Sequence, residues 1–429
     1  MTRAATTALA LETQRRAVLF PADRDANGLV LAHVIGALLM VTLATAVTWE
    51  RFNFWSVPEA RGVVALSVAA YGLAAVATAR LTSLPRSGPL AAILIGTTAS
   101  FVVVLAGLAL FRLPYSRLYL ACAWILATVC HAAAYGVQPH LYPRFAVVPG
   151  KLTDRLCRLP GASWVPLQQA DDSDVDAVVL DPVTAASSEW MASLTEWKLN
   201  GVKLIDGRAV YELFTGRVPV EVGPLLNVDL GNARTFYPAF RRIAEMTALL
   251  CMMPILVPLG LLVAVAIRLD SRGPVFFWQE RMGYGGRPFR MCKFRTMGID
   301  SELSGPKFAT IRDGRVTRLG KFLRQSRLDE LPQLWNVLLG DMSVIGPRPE
   351  QFAFARKFQE EIPAYGFRHL VKPGITGWAQ VNQGYAANSE ETRTKLEYDL
   401  YYVKNLSPWL DASVVLKTLR TVATGFGSR

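Results

Sequence analysis

Four apolar runs open the chain, at about residues 28–47, 62–79, 89–111 and 115–135. Each is close to the ~20 residues an α-helix needs to cross the hydrocarbon core of a bilayer. The linkers between them, such as WERFNFWSVPEAR and RLTSLPRSG, carry Trp and Arg residues that suit a membrane–water boundary. Four transmembrane helices are therefore predicted. Charge is divided too evenly between these linkers to fix an orientation. The Arg-bearing N-terminal tail and the basic region after Tyr135 weakly favour both ends in the cytoplasm.

From Arg144 to about Pro219 the period changes. FAVVPG, VDAVVLD and VKLID are short β-rich runs, with the helix-like segments KLTDRLCRL and TAASSEWMASLTEWK between them. Such alternation predicts a small parallel α/β unit of Rossmann type. Its first turn reads PGKLTD, so the glycine-rich phosphate cradle GxGxxG is missing. A regulatory or oligomerising role suits this unit better than nucleotide binding.

A fifth apolar run, residues 243–267, holds Pro254 and Pro258 in its middle and is flanked by Arg241 and Arg242 on one side and Arg268 and Arg272 on the other. Proline removes a helix hydrogen bond and bends the chain. A helix broken there would enter and leave the membrane on one face, keeping both basic clusters in the cytoplasm. A kinked fifth span competes with that reading on these features alone. The remainder is rich in Gly, Pro, Arg and Lys, and ends in YDLYYVKNLSPWLDASVVLKTLRTVATGF, which reads as one or two amphipathic segments on a membrane surface or as core packing.

Composition sharpens the class. Hydrophobic residues make up 52% and charged residues 19%, against roughly 25% charged in soluble domains. The net charge of +12 points to acidic partners, and the apolar runs favour a membrane surface over nucleic acid. The five cysteines are scattered, without the spacing of a zinc site.

Chemistry concentrates in SRLDELPQLWNVLLGDMSVIGPRPE, residues 326–350. Asp329 and Glu330 stand side by side behind Lys321, Arg324 and Arg327. Ser326 and Asp329 fit a capping box, and Leu331, Leu334, Trp335 and Leu338 continue at helical spacing. The acids could simply complement a helix dipole. Adjacent residues on a helix do not face each other, so the pair also suits two different tasks, attack on phosphorus and retention of a cation. The neighbouring bases would lower the pKa of an attacking carboxylate. Lys293 and Arg295 alternate around Phe294 as on a strand after a Gly-rich turn, Arg348 is stiffened between two prolines, and Trp378 in VKPGITGWAQV is available for stacking.

From about Phe236 to the C-terminus the chain resembles the bacterial sugar transferase family, the monotopic phosphoglycosyl transferases. The resemblance rests on the proline-bearing helix, GPVFFWQERMGYGGRPFRMCKFRTM, RLGKFLRQSRLDELPQLWNVLLGDMSVIGPRPE, VKPGITGWAQVN and YDLYYVKN. The preceding region is similar to the long members, the undecaprenyl-phosphate galactose or glucose phosphotransferases. The fold so implied is a membrane protein with a four-helix transmembrane region, a small Rossmann-like α/β unit, and a monotopic, α-rich α+β catalytic domain with a re-entrant, proline-broken helix. Its expected parts are a cytoplasmic tail at 1–27, the four helices at 28–137, the α/β unit at 140–232 and the catalytic domain at 233–429, with the re-entrant helix at about 241–268.

What the resemblance implies is transfer of hexose-1-phosphate from a UDP-hexose to undecaprenyl phosphate, with release of UMP, as the first membrane step of surface polysaccharide or exopolysaccharide synthesis. Asp329 would be the nucleophile, forming a covalent phosphosugar intermediate, and Glu330 would hold Mg2+. Lys293, Arg324 and Arg348 match the phosphate-contacting bases, and Pro254 the helix break. Membrane lipids are expected partners, the α/β unit leaves room for a homodimer, and nucleic acid is not expected. UDP-sugars are cytosolic, so the catalytic domain is expected on the cytoplasmic face of the bacterial inner membrane, which favours re-entry over a fifth span. Met253 stands where the family has Ser before the proline, and VNQGY also departs from the family pattern. Two rivals remain at this point: a membrane scaffold or sensor, and a glycosyltransferase that would release UDP.

Overall fold

The computed structural model describes residues 26–50, 52, 60–85, 88–136, 143–167, 175–184, 187–220, 237–298, 314–383 and 389–424. The chain divides into two compact units, Met1–Gly216 and Arg217–Arg429. The expected boundary at 232/233 lies outside the described residues.

The first unit begins with α1 (Ala26–Trp49), α2 (Ala60–Thr82), α3 (Pro89–Leu110) and α4 (Arg117–Gly136). All four are long and apolar enough to cross a membrane, and their bounds fall within a few residues of the predicted spans. Small residues line the packed faces: Ala44 on α1, Ala70 and Ala74 on α2, and Ala123 and Ala127 on α4 are buried. Such residues let helix backbones approach closely where lipid gives no hydrophobic drive to association. Outward faces carry Val30, Leu31, Leu38, Leu94, Val102, Val103 and Val129, all exposed, as a lipid-facing surface requires.

A four-stranded parallel sheet follows, built from β1 (Arg144–Val147), β2 (Ser163–Pro166), β3 (Ala177–Leu180) and β4 (Lys203–Asp206) in the order β2-β1-β3-β4. Helices α5 (Lys151–Cys157), α6 (Ser188–Leu199) and α7 (Gly207–Thr215) alternate with the strands. Phe145, Ala146, Val178 and Val179 are fully buried, the continuous apolar pattern of a sheet covered on both faces. The Rossmann-like expectation holds in architecture.

The second unit opens with α8 (Tyr237–Asp270), which contains Pro254 and Pro258. Here the structure corrects the sequence reading: the prolines lie inside one uninterrupted helix, and Pro254 does not end it. Helices tolerate proline where the freed backbone groups are satisfied locally. This helix, too, is long and apolar enough to cross a membrane. Its two ends pack on the same body. Met246 and Leu249 join Met291, Val337 and Met342, while Val263 and Ile267 join Phe294 and Leu323. Between them Leu250, Met252, Ile255, Val257, Leu261 and Leu262 are exposed.

The antiparallel hairpin of β5 (Phe276–Met282) and β6 (Pro288–Phe294) comes next. Its turn places Gly285 and Gly286 at φ 64° and 73°, the left-handed region where glycine carries no Cβ penalty. The Gly-rich stretch is thus a hairpin turn. Beyond it lie α9 (Arg318–Gln325), α10 (Gln333–Leu339), α11 (Phe352–Glu361), α12 (Trp378–Asn382), α13 (Ser389–Lys404) and α14 (Pro408–Thr424), with the short parallel pair β7 (Ser343–Ile345) and β8 (Gly374–Thr376). Leu396, Tyr398, Leu400, Tyr402 and Val403 are buried around α13, so this helix is core and not a membrane-surface segment.

Candidate active site

Arg327 is in the left-handed conformation, φ 59°, and stops α9 from running on. Ser326 closes that helix by donating its hydroxyl to Phe322 O at 2.8 Å. The predicted capping box with Asp329 therefore does not form. Asp329 and Glu330 sit instead on a separate 3-10 turn, Leu328–Glu330, with the helix through Trp335 and Leu338 starting only at Gln333. Leu328 and Leu331 are pressed against Val263, Ile267, Phe294 and Leu323, so the turn rides on the end of α8 and on β6.

Both acids are buried, at 8% and 7% exposure, but their surroundings differ. Arg348 Nη2 donates to Glu330 Oε1 at 2.7 Å, with Nη1 3.4 Å from Oε2. Lys293 Nζ stands 3.5 Å and Arg327 Nη1 3.7 Å from the same Oε1. Burial alone would raise the Glu330 pKa, yet Arg348 and then Lys293 hold it well below the usual carboxylate range. Asp329 makes no ion pair among the described residues. Burial pushes its pKa up, opposed by Lys293 and reinforced by Glu330. The sequence reading had the neighbouring bases lowering it. Of those bases Arg324 does act in that direction, but burial outweighs it, Arg327 pairs with Glu330, and Lys321 is exposed.

Lys293 is pushed down to about 8, by burial first, with Glu330 opposing. Arg348 is held above its ordinary range chiefly by Glu330. Arg324, expected beside the phosphates, donates from Nε to Thr296 Oγ1 at 2.9 Å and remains within electrostatic reach of Asp329. The structure thus gathers Lys293, Arg327 and Arg348 on Glu330, with Arg324 one step away.

Residues the sequence did not single out hold Arg348 in place. Arg368 Nη2 donates to Arg348 O at 2.8 Å and pairs with Asp399 at 2.7 Å, both side chains 2% exposed. Arg281 Nη1 donates to Pro349 O at 3.0 Å, and Lys395 pairs with Glu350. The loop is also fixed by backbone contact: a Cβ on Gly374 would lie 2.1 Å from Gly346 N, and one on Gly377 2.1 Å from Gly346 O. Trp378 corrects another expectation. It is fully buried, stacked on Tyr401 with the Lys417 ammonium over its ring, and cannot receive a substrate ring.

Among the described residues no group of three or more His, Cys, Asp or Glu could by itself hold a metal ion. Mg2+ commonly uses one or two carboxylates completed by substrate phosphates and water. Glu330 Oε2, which has only the 3.4 Å contact to Arg348, and the unpaired Asp329 are hard oxygen donors of that kind, so the donor chemistry fits.

Among its described residues the α/β unit offers no second centre of this sort. A Cβ on Gly150 would meet Asp181 Oδ2 at 2.2 Å. That buried carboxylate accepts from Leu152 N at 2.9 Å and Val183 N at 3.0 Å. It occupies the turn after β1, where Rossmann units seat a phosphate.

Residues 236–425 match the family described as Bacterial sugar transferase. The chain is 39% identical over 406 residues, 92% of its length, to the UDP-N-acetylgalactosamine-undecaprenyl-phosphate N-acetylgalactosaminephosphotransferase of Aeromonas hydrophila, covering 95% of that protein. It is 48% identical over 165 residues to the UDP-glucose:undecaprenyl-phosphate glucose-1-phosphate transferase of Xanthomonas campestris pv. campestris, which is 38% of this chain and 34% of that one. The enzyme of the same name from Escherichia coli (strain K12) is 39% identical over 202 residues, 47% of this chain and 43% of its own length. With the membrane helices, the α/β unit and the catalytic unit all in place, and a relative matched almost end to end, the chain belongs to the bacterial sugar transferase family as one of its long-form transferases.

Proposed function

We propose that this enzyme transfers a sugar-1-phosphate from a UDP-sugar to undecaprenyl phosphate, through a covalent phosphosugar on Asp329, and releases UMP. The observation that carries the reading is the division of labour between the two acids. Glu330 is pinned by Arg348, Lys293 and Arg327, whereas Asp329 is buried within electrostatic reach of Lys293, Arg348 and Arg324 but makes no ion pair among the described residues. A carboxylate so placed is free to attack.

In the first step an Asp329 oxygen forms a bond to the β-phosphorus, and the bond from that phosphorus to the bridging oxygen breaks, so UMP leaves. The resulting acyl phosphate retains transfer potential. In the second step an oxygen of the lipid phosphate bonds to the same phosphorus and the Asp329 carboxylate is restored. Lys293, Arg324 and Arg348 would bind and orient the phosphate oxygens, where positive charge matters most in phosphoryl transfer. Glu330, with the substrate diphosphate, would hold Mg2+, which would supply positive charge to offset the charge that builds on the departing UMP.

The relative matched almost end to end is named for N-acetylgalactosamine and the two matched over their catalytic portion for glucose. UDP-N-acetylhexosamines and UDP-hexoses are therefore the donors to try together. The reading places the catalytic unit on the cytoplasmic side of the inner membrane, at the start of a surface polysaccharide. Both ends of α8 packing on one body supports a helix that returns to the side it entered.

The test is the intact mass of the purified full chain after mixing with each UDP-sugar and Mg2+, without lipid acceptor. A phosphosugar adduct mapping to Asp329 is expected from the accepted donor. Transfer that proceeds with UDP as the product would overturn the reading.

A further inference from the structure

Lys293, Arg324 and Arg348 are the bases for the donor phosphates, yet the reaction brings two phosphate-bearing substrates to one place. A further cation lies two residues along the chain from Lys293. Arg295 follows the end of β6, and its backbone N donates to Val275 O at 2.9 Å. Its guanidinium turns to the residue just past α8: Nη2 donates to Ser271 O at 2.8 Å and to Ser271 Oγ at 2.9 Å. The side chain is 92% buried, from an exposure of 8%, and its Nε and Nη1 have no hydrogen-bond partner. A guanidinium is always charged and carries five N–H donors, and leaving buried charged donors unmade is costly. The group is oriented through Nη2 and unspent elsewhere.

We propose that Arg295, seated on Ser271 at the end of α8, binds the phosphomonoester head of the polyprenyl acceptor. The inference rests on the acceptor named under the proposed function. Three features select a lipid phosphate. Successive strand residues rise ~3.3 Å, so Lys293 and Arg295 are spaced to hold two phosphates that must react with each other. Ser271 directly follows an apolar helix long enough to cross a membrane, which sets this cation at the depth of lipid head groups. Water does not reach Nε or Nη1, so the ligand has to displace packed side chains, which an amphiphile burying its own chain can do. Exposed Leu269 and Phe276 lie beside the site in sequence, and Phe276 stacks on Phe294 at 5.6 Å.

The experiment uses the full chain in nanodiscs. Transfer is titrated with polyprenyl phosphate and with UDP-sugar for wild type, Arg295→Gln, Arg295→Lys and Ser271→Ala. The donor half-reaction is read separately as exchange of labelled UMP into UDP-sugar without acceptor. Arg295→Gln is expected to raise the apparent KM for polyprenyl phosphate at least about tenfold, the scale of a lost charge-assisted hydrogen bond, and to leave the UDP-sugar KM and UMP exchange within about twofold. Arg295→Lys, which keeps the charge and loses the fork, gives the same split at smaller size should Arg295→Gln not fold. Ser271→Ala gives about threefold.

An unchanged acceptor KM, or exchange falling in step with transfer, would overturn the proposal. So would inorganic phosphate competing with polyprenyl phosphate at equal concentration, since the site would then be one for free phosphate. Wild type that transfers nothing sinks the proposed reaction instead. Binding of labelled polyprenyl phosphate, with polyprenol as control, still tests Arg295 in that case.

Discussion

Arg348 Nη2 stands 2.7 Å from Glu330 Oε1, and Glu330 is almost wholly withdrawn from water. Removing one partner of a buried pair leaves a charge that neither solvent nor protein compensates, at a cost of about 3–5 kcal/mol. Lys293 and Arg327 remain near Glu330, so Arg348→Ala should lose about 3 kcal/mol and most turnover. Glu330→Gln in the Arg348→Ala background should restore part of the stability but none of the activity. Thermal unfolding and UMP release across the four proteins of this cycle measure the coupling; additive losses would show the pair to be energetically independent.

Asp329→Asn separates chemistry from folding. The substitution keeps the side chain's size and removes a buried carboxylate whose ionisation burial already disfavours. Stability at neutral pH is therefore expected to stay level or rise, while UMP release falls by about 10⁴-fold or more, as when other enzymes lose a nucleophile. A variant with measurable multiple turnover would show that Asp329 is not the attacking group.

The close approach of Gly374 to Gly346 makes a backbone prediction. A methyl group on Gly374 would sit 2.1 Å from Gly346 N, so Gly374→Ala must push apart β7, β8 and the loop that carries Arg348. Overpacking of this kind costs about 1–3 kcal/mol or more, and UMP release should fall more than tenfold. Gly298→Ala, with nothing within 4 Å of its added Cβ, is the control and should be near neutral in both measurements.

His369 gives a pH dependence of stability. Burial, with Arg368 adding to it, pushes its pKa down to about 3 from 6.5. Below pH 6.5 the unfolded chain takes up a proton here that the folded chain refuses until about pH 3. Stability from this group is thus intact above pH 6.5 and is lost as pH falls, at up to about 1.4 kcal/mol per unit. Thermal unfolding at pH 7.5 and 5.5 should show a steeper loss for wild type than for His369→Asn; equal losses would assign the acid sensitivity elsewhere.

The sequence made the four N-terminal helices legible because lipid demands a length and an apolar composition that, among the other described elements, only α8 shares. The alternating strands of the α/β unit were legible for a similar reason: a sheet covered on both faces admits little but Val, Ile, Leu and Ala. Around Asp329 the pattern misled. Apolar spacing from Leu331 implied one helix from Ser326 onward, but a single left-handed residue, Arg327, turns the chain and hands both acids to a 3-10 turn. No period encodes that. Arg281 and Arg368 were invisible because their partners Pro349 and Arg348 lie 68 and 20 residues away, and a buried arginine looks like any other in sequence. Trp378 misled in the opposite sense, since an aromatic in a Gly-rich loop reads as exposed until Tyr401 and Lys417 are found covering it.

The topology of α8 can be decided by labelling. The helix has 34 residues, about 51 Å if straight at 1.5 Å per residue, enough to cross a bilayer. Crossing would set its ends on opposite faces, but Leu249 shares a buried cluster with Met291 and Ile267 shares one with Phe294, so both stretches of the helix pack on the same hairpin. Pro254 and Pro258 lie between those two stretches and remove two backbone donors, which makes the helix easier to bend there. In a variant lacking its native cysteines, single cysteines at Tyr237 and Arg272 should both react with a membrane-impermeant thiol reagent in inside-out vesicles and neither in right-side-out cells. Reaction of one from each side would make α8 a fifth span and would remove the catalytic unit's tie to a single membrane face.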